Sequence, residues 1–199
     1  MLIERFESGN QIECGCDEAG RGCLAGPVCA AAVVLAPGYQ NALLNDSKQL
    51  SAKRRLELRG VIEKEALAWA VAMVDNNEID QLNILHASIE AMNRAVELLD
   101  LKPDLLLIDG NRFYNRLNID YRCIVGGDAK YMAIAAASIL AKTHRDEYME
   151  RMAETYPVYG WAKNKGYPTS DHYKALELYG ATPLHRRSFR LQRQLSLDL

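Results

Sequence analysis

Residues 14–35, CGCDEAGRGCLAGPVCAAAVVL, constrain the fold more than any other stretch of the chain. Two apolar runs, Ile12 to Cys16 and Val28 to Leu35, flank a turn containing Gly20, Gly22, Gly26 and Pro27, so the chain reverses there and the runs read as neighbouring strands. A third run with partial alternation, Ala66 to Val74, extends this to an antiparallel start. Ile79, Leu82, Leu85, Ile89, Met92, Val96 and Leu99 then recur every three or four residues, the spacing of one helical face. Pro103 opens a short apolar strand, Leu105 to Ile108; a second, Tyr121 to Val125, precedes a long, mostly buried helix over Tyr131 to Tyr156. Strands alternating with helices make the class α/β.

At 199 residues and 49% hydrophobic, the chain suffices for one core, as a single domain or one with a small appendage. No run approaches the ~20 apolar residues of a membrane span. Met1 to Gln11 is too polar for a secretory signal, so the expectation is a soluble, cytoplasmic protein with no membrane association. The five cysteines are odd in number, and Cys14, Cys16 and Cys29 lie in strand-like surroundings, which reads as reduced core thiols. Cys14, Cys16 and Cys23 lack the C-x-x-C pairs usual at zinc sites. The formal net charge of −2 hides an asymmetry. Residues 156–199 carry seven Lys or Arg against three acids, a net +4, which leaves −6 for residues 1–155. That division suits an acidic, metal-binding body with a basic flank for a polyanion, or simply a solvated charged face.

Three of the strands share one habit: they run into acid. Ile12 to Cys16 ends at Asp17 and Glu18, Leu105 to Ile108 at Asp109, and Tyr121 to Val125 passes through Gly126 and Gly127 to Asp128. Neighbouring strands lie ~4.8 Å apart and ligand sites favour strand termini, so such acids can converge at one sheet edge. Clustered carboxylates raise one another's pKa and call for a cation, and all-oxygen donors favour Mg²⁺ or Mn²⁺. Singly, each acid is an ordinary cap or turn residue. Spacing alone leaves open whether the four meet.

The stretch Gly15-Cys16-Asp17-Glu18-Ala19-Gly20-Arg21-Gly22 resembles the signature of the ribonuclease HII family, the type 2 ribonucleases H. Further blocks follow in the family's order: Asp46-Ser47-Lys48, Ile108-Asp109-Gly110, Gly127-Asp128-Ala129-Lys130, Ala137 to Lys142 with Arg145-Asp146, Gly166-Tyr167-Pro168-Thr169, and His185 to Phe189. Asn164, where histidine is common, departs from the pattern. The resemblance implies a ribonuclease H-like fold, a five-stranded mixed sheet flanked by helices. Residues 1–156 would form the catalytic domain, and 157–199 a basic helical segment packed on it. It further implies hydrolysis of RNA in RNA–DNA hybrids and cleavage 5′ of single ribonucleotides in duplex DNA, leaving 3′-hydroxyl and 5′-phosphate ends. Two divalent ions, Mn²⁺ or Mg²⁺, would be shared by Asp17 and Asp109, with Glu18 and Asp128 completing the site, in a monomeric enzyme. Another four-acid nuclease, such as a proofreading exonuclease, and a non-catalytic nucleic-acid-binding module are the rival readings.

Gly20 and Gly22 allow the backbone to approach a ligand too closely for any Cβ, leaving peptide groups for a ribose 2′-hydroxyl, and Arg21 between them can reach a phosphate. Tyr167, in a rigid Gly-Tyr-Pro turn, can stack on a sugar or base, or pack against Tyr159 or Trp161. By resemblance it meets the deoxyribose after the ribonucleotide. Lys48, Ser138, Lys142, Arg186 and Arg187 match family blocks as phosphate contacts. The tail Gln194-Leu195-Ser196-Leu197-Asp198-Leu199 looks like the peptides that dock on the bacterial sliding clamp: Leu195, Leu197 and Leu199 alternate as an extended strand would, with Gln194 at the rim. Leu191, Leu195 and Leu199 are equally the stripe of a final helix.

Overall fold

The computed structural model describes residues 2–7, 9, 11–41, 43–44 and 50–192. Five strands form one sheet: β1 (Glu13–Ala19), β2 (Val28–Val34), β3 (Ala68–Val74), β4 (Leu105–Asp109) and β5 (Asp120–Ile124), in the order β3-β2-β1-β4-β5. The first three are antiparallel neighbours, as the glycine turn requires, whereas β4 joins β1 in parallel and β5 joins β4 in parallel. The mixed sheet is thus antiparallel on one side and parallel on the other. β2, VCAAAVV, is buried along its whole length because helices cover both its faces.

One layer is α3 (Ile84–Glu97), whose Ala87, Ala91, Met92 and Ala95 pack on Cys14, Cys16, Ala30 and Ile108. The other layer is α4 (Met132–Thr155) with α1 (Ala52–Glu65), whose Ala136, Leu140, Leu58 and Ile62 meet Ala31 and Val33. The approach of α4 to β1 is close: a Cβ on Gly15 would lie 2.2 Å from the Ala133 carbonyl carbon, so only glycine fits there. The single apolar stripe from Ile79 to Leu99 is carried by two helices, because Asn83, at φ 66° and ψ 163°, ends α2 (Asn76–Leu82) and caps α3 by accepting from the Leu85 and His86 N–H groups. Periodicity survived the break because both helices turn the same side inward.

Residues 157–192 hold α5 (Trp161–Asn164) and α6 (Ser170–Tyr179). They pack through Tyr159, Trp161, Ala175 and Leu176 onto Leu24, Ala25 and Met149, so this segment grips the loop between β1 and β2. No helix among the described residues is long and apolar enough to cross a membrane. The cysteines Cys14, Cys16, Cys23 and Cys29 are free and buried, as core thiols should be, while Cys123 is exposed. Lys48, Gln194, Leu195, Leu197 and Leu199 lie outside the described residues.

Candidate active site

The parallel pairing of β1 with β4 runs to Cys16 opposite Ile108, so the next residue on each strand, Asp17 and Asp109, emerges at the same sheet edge. Strand alternation sends Cys14 and Cys16 towards α3 and Asp17 towards α4. There the buried Ser138 hydroxyl, expected at a phosphate, instead donates to the Asp17 carboxylate, and the Glu18 N–H donates to Asp17 Oδ1 at 2.7 Å. Asp17 is only 5% exposed, and burial, then the charges of Glu18 and Asp109, push its pKa well above the carboxylate range. Glu18 is raised too, chiefly by burial, although Arg21 Nη1 at 2.9 Å from its Oε1 works against that shift. Asp109 Oδ1 accepts from the Gly127 N–H at 2.7 Å, which ties β4 to the turn bearing the buried Asp128. Three of the four acids therefore feel one another directly, and Asp128 adjoins them through Gly127. Among the described residues no three such side chains are already drawn into a coordination cluster.

The glycine turn stands beside these acids and is held from behind by two buried arginines. Arg186 is 0% exposed and donates to the carbonyls of Gly26 (3.0 Å), Arg21 (2.9 Å) and Gly20 (2.8 Å). Arg145 donates to Pro27, Lys165 and Ala25. Arg186 is thus withdrawn from the expected phosphate contacts: a guanidinium spent on three buried carbonyls has no face left for a phosphate. Burial lowers its pKa to about 10. With the carbonyls of Gly20 and Arg21 turned inward, the exposed Arg21 and Gly22 N–H groups find no acceptor among the described residues. The two glycines differ. Gly20 has φ +94°, and a Cβ there would strike Arg145 Nε at 2.0 Å, so its bare α-carbon serves internal packing. Gly22 avoids the left-handed region and has nothing within 4 Å of its Cβ direction, so nothing inside the protein requires glycine there.

Tyr167 belongs to the same neighbourhood. Its hydroxyl is hydrogen-bonded to Cys23, directly after the glycine turn, and the Leu24 N–H donates to Gly166 O at 2.8 Å. The ring is 37% exposed with Lys142 Nζ and Arg145 5.8 and 5.9 Å from its centroid. It does not join Tyr159 and Trp161, which stack on each other, so the packing alternative is set aside. Lys142 is bound to Asp146, and Lys165 to Glu150 at 2.7 Å, so the flank beside Tyr167 is mixed in charge where the sequence suggested a basic face. Arg187 keeps an exposed side chain while its N–H donates to Asp80. On the α3 side, Glu18, Arg21, Asp109, Asn111 and Arg112 line a cleft of about 340 Å³ that opens onto the acids.

The sequence assigns no role to Arg145, Asn111 and Arg112, and Cys23 figures in it only as a discounted zinc ligand. Arg145 lies within a family block, but its partners, the carbonyls of Ala25, Pro27 and Lys165, are set by packing and leave no local signal.

Known proteins share this sequence pattern and fold. The ribonuclease HII family model matches residues 14–192. The ribonuclease HII of Bacteroides thetaiotaomicron is 59% identical over 188 residues, 94% of each chain. The crystal structure of ribonuclease H2 from Pyrococcus horikoshii is similar in fold, with a TM-score of 0.75 and 26% identity over 90% of this chain and 94% of that one. The ribonuclease HII of Archaeoglobus fulgidus, solved in complex with PCNA, has a TM-score of 0.74 and 26% identity over 94% of this chain and 98% of that one. A family match across the described chain, strand-end acids and a glycine turn in the family's order together place this chain in the ribonuclease HII family, as a ribonuclease H-type endoribonuclease.

Proposed function

We propose that this ribonuclease H, whose family carries activity on RNA–DNA hybrids, also cuts duplex DNA on the 5′ side of a single embedded ribonucleotide, leaving 3′-hydroxyl and 5′-phosphate ends. The observation that carries the reading is the convergence of Asp17, Glu18 and Asp109 at one sheet edge beside a turn with outward-facing peptide N–H groups.

The donor set fits hard divalent cations. Asp17, Glu18, Asp109 and Asp128 offer only oxygen, and the first two are held away from ionisation by burial, a penalty that a cation at the same place removes. Asp17 and Asp109 would be shared between two ions, Mn²⁺ or Mg²⁺, with Glu18 and Asp128 completing the set. Such ions supply Lewis acidity, making water a competent nucleophile near neutral pH and offsetting charge on the leaving oxygen. The protein's own groups do the rest. Ser138 favours the ionised form of Asp17, Arg21 does the same for Glu18, and the Gly127 N–H fixes Asp109. Peptide groups of Arg21 and Gly22 receive the ribose 2′-hydroxyl, with Gly22 bare so that the sugar can come close. Tyr167 meets the sugar on the next nucleotide, and Lys48, Lys142 and Arg187 contact flanking phosphates. The tail Gln194–Leu199 docks on the bacterial sliding clamp, a reading supported by the PCNA complex of the Archaeoglobus fulgidus protein.

One assay tests this: a duplex with one internal ribonucleotide, beside an all-DNA control and an RNA–DNA hybrid, each with and without Mn²⁺. Metal-dependent incision 5′ of the ribonucleotide and an intact control are expected. Digestion of the all-DNA control from its ends would favour a four-acid exonuclease, and binding without incision a non-catalytic module.

A further inference from the structure

Behind Tyr167 lies a buried pair of imidazoles that the reaction does not use. His172 and His185 are 0% and 1% exposed, with their Nε2 atoms 3.0 Å apart. Their protons are fixed by their neighbours. The Thr182 N–H can only donate, and it reaches His185 Nδ1 at 2.9 Å, so that nitrogen is the acceptor and the His185 proton sits on Nε2. His172 Nε2 therefore accepts, and it also accepts from the Trp161 indole N–H at 3.1 Å, its lone pair shared between two donors. The His172 proton is left on Nδ1, which lies 3.0 Å from the backbone carbonyl of Tyr167, a group that can only accept. The chain of donation thus runs in one direction, from Thr182 through His185 and His172 to Tyr167. Burial depresses both imidazoles, His185 to about 4, which keeps the pair neutral and the direction intact near neutral pH.

We infer that His172, oriented by His185, is a positioning residue for nucleotide recognition: its Nδ1–H holds the Tyr167 peptide so that the phenol ring faces the sugar beside the ribonucleotide. The inference rests on the proposed role of Tyr167. The His172 bond adds to three backbone bonds at this turn: the Tyr167 N–H donates to the Asn164 carbonyl, the Tyr167 carbonyl accepts from the Thr169 N–H, and the Gly166 carbonyl accepts from the Leu24 N–H. Residues 166–168 are otherwise a short Gly-Tyr-Pro turn with Gly166 at φ +82°.

Two substitutions separate positioning from packing, because asparagine can place a donor where Nδ1 lies and glutamine an acceptor where Nε2 lies. His172→Asn keeps a donor for Tyr167 but strands the Trp161 and His185 N–H groups. His172→Gln satisfies those two and leaves the Tyr167 carbonyl with the Thr169 N–H as its one remaining donor among the described residues. The readout is the ratio of kcat/KM on a single-ribonucleotide duplex to that on an RNA–DNA hybrid, with melting temperature measured alongside. Positioning predicts that His172→Gln, the more stable variant, loses about three- to tenfold in the ratio, the worth of one hydrogen bond, while His172→Asn keeps it. The Gln effect should vanish in a Tyr167→Ala background, since His172 acts only through that residue. A ratio that follows stability, or a Gln effect that persists without Tyr167, overturns the inference. If Tyr167→Ala alone leaves the ratio unchanged, the role of Tyr167 falls, and this inference with it. Nitrogen-15 NMR of the unaltered protein adds a check independent of variant folding: His172 must carry its proton on Nδ1 and His185 on Nε2, and the opposite tautomers refute the relay.

Discussion

Substituting alanine at Gly20 and at Gly22 separates the two jobs of the glycine turn. At Gly20 the new Cβ would sit 2.0 Å from Arg145 Nε in a backbone at φ +94°. The left-handed conformation costs about 1 kcal/mol for a non-glycine residue. Displacing Arg145 also disturbs three buried bonds to the carbonyls of Pro27, Lys165 and Ala25, at about 1 kcal/mol or more each. A loss of about 3 to 5 kcal/mol follows, which for a chain of this size lowers Tm by about 10 °C. Gly22 presents the opposite case, because open space and an ordinary φ keep Gly22→Ala within about 0.5 kcal/mol of the parent. Its effect should appear only with substrate, where a methyl group blocks the close approach of the ribose. Loss of one or two peptide–sugar hydrogen bonds lowers kcat/KM on a single-ribonucleotide duplex by about 10- to 100-fold. Thermal melts and steady-state kinetics on both variants form the assay. A Gly22→Ala enzyme within twofold of the parent would refute the account of the turn, whatever Gly20→Ala does.

Asp17 and Glu18 have folded pKa values above their unfolded ones, so without divalent ions the native state binds more protons and Tm should fall as pH rises from about 4 through the raised values. Asp17→Asn should flatten that fall and Mn²⁺ should oppose it; an equally steep fall in both metal-free proteins contradicts the assignment. Ser138→Ala removes the bond favouring ionised Asp17, so the acidic limb of the pH–rate profile should move upward; an unmoved limb shows that Ser138 does not tune Asp17. Arg186→Lys keeps the charge but cannot span three carbonyls, and should cost about 2 to 4 kcal/mol by denaturant titration; an unchanged midpoint would return Arg186 to the phosphate contacts.

The sheet was legible because most of its strands are short apolar runs between strong turn signals, the exposed β5 excepted. Val28 to Val34 is so uniformly apolar that only a strand covered on both faces accommodates it. The acids were legible because Asp17, Glu18 and Asp109 follow such runs directly and Asp128 follows one across Gly126 and Gly127. The division at Asn83 was hidden by continuous periodicity, although Asp75, which accepts from the Glu78 N–H, and Asn83 are both cap residues whose spacing could have announced two helix starts. Arg145, Arg186 and His172 were illegible for a different reason. Their partners are mostly backbone carbonyls, and Arg186 and the Gly20 carbonyl it holds are 166 residues apart, so no local pattern records the pairing. Charge counts assigned Arg186 to a basic surface, whereas only packing shows it interior.

Cleavage depends on the carboxylates gathered at the sheet edge. Single-turnover incision of a single-ribonucleotide duplex by the parent and by Asp109→Asn, followed across a Mn²⁺ titration, tests it most directly. Asp109→Asn should melt like the parent yet cleave about 10³-fold more slowly at every Mn²⁺ concentration, since several kcal/mol of charge stabilisation depend on that carboxylate. Recovery of the parent rate by Asp109→Asn at saturating Mn²⁺ would contradict it.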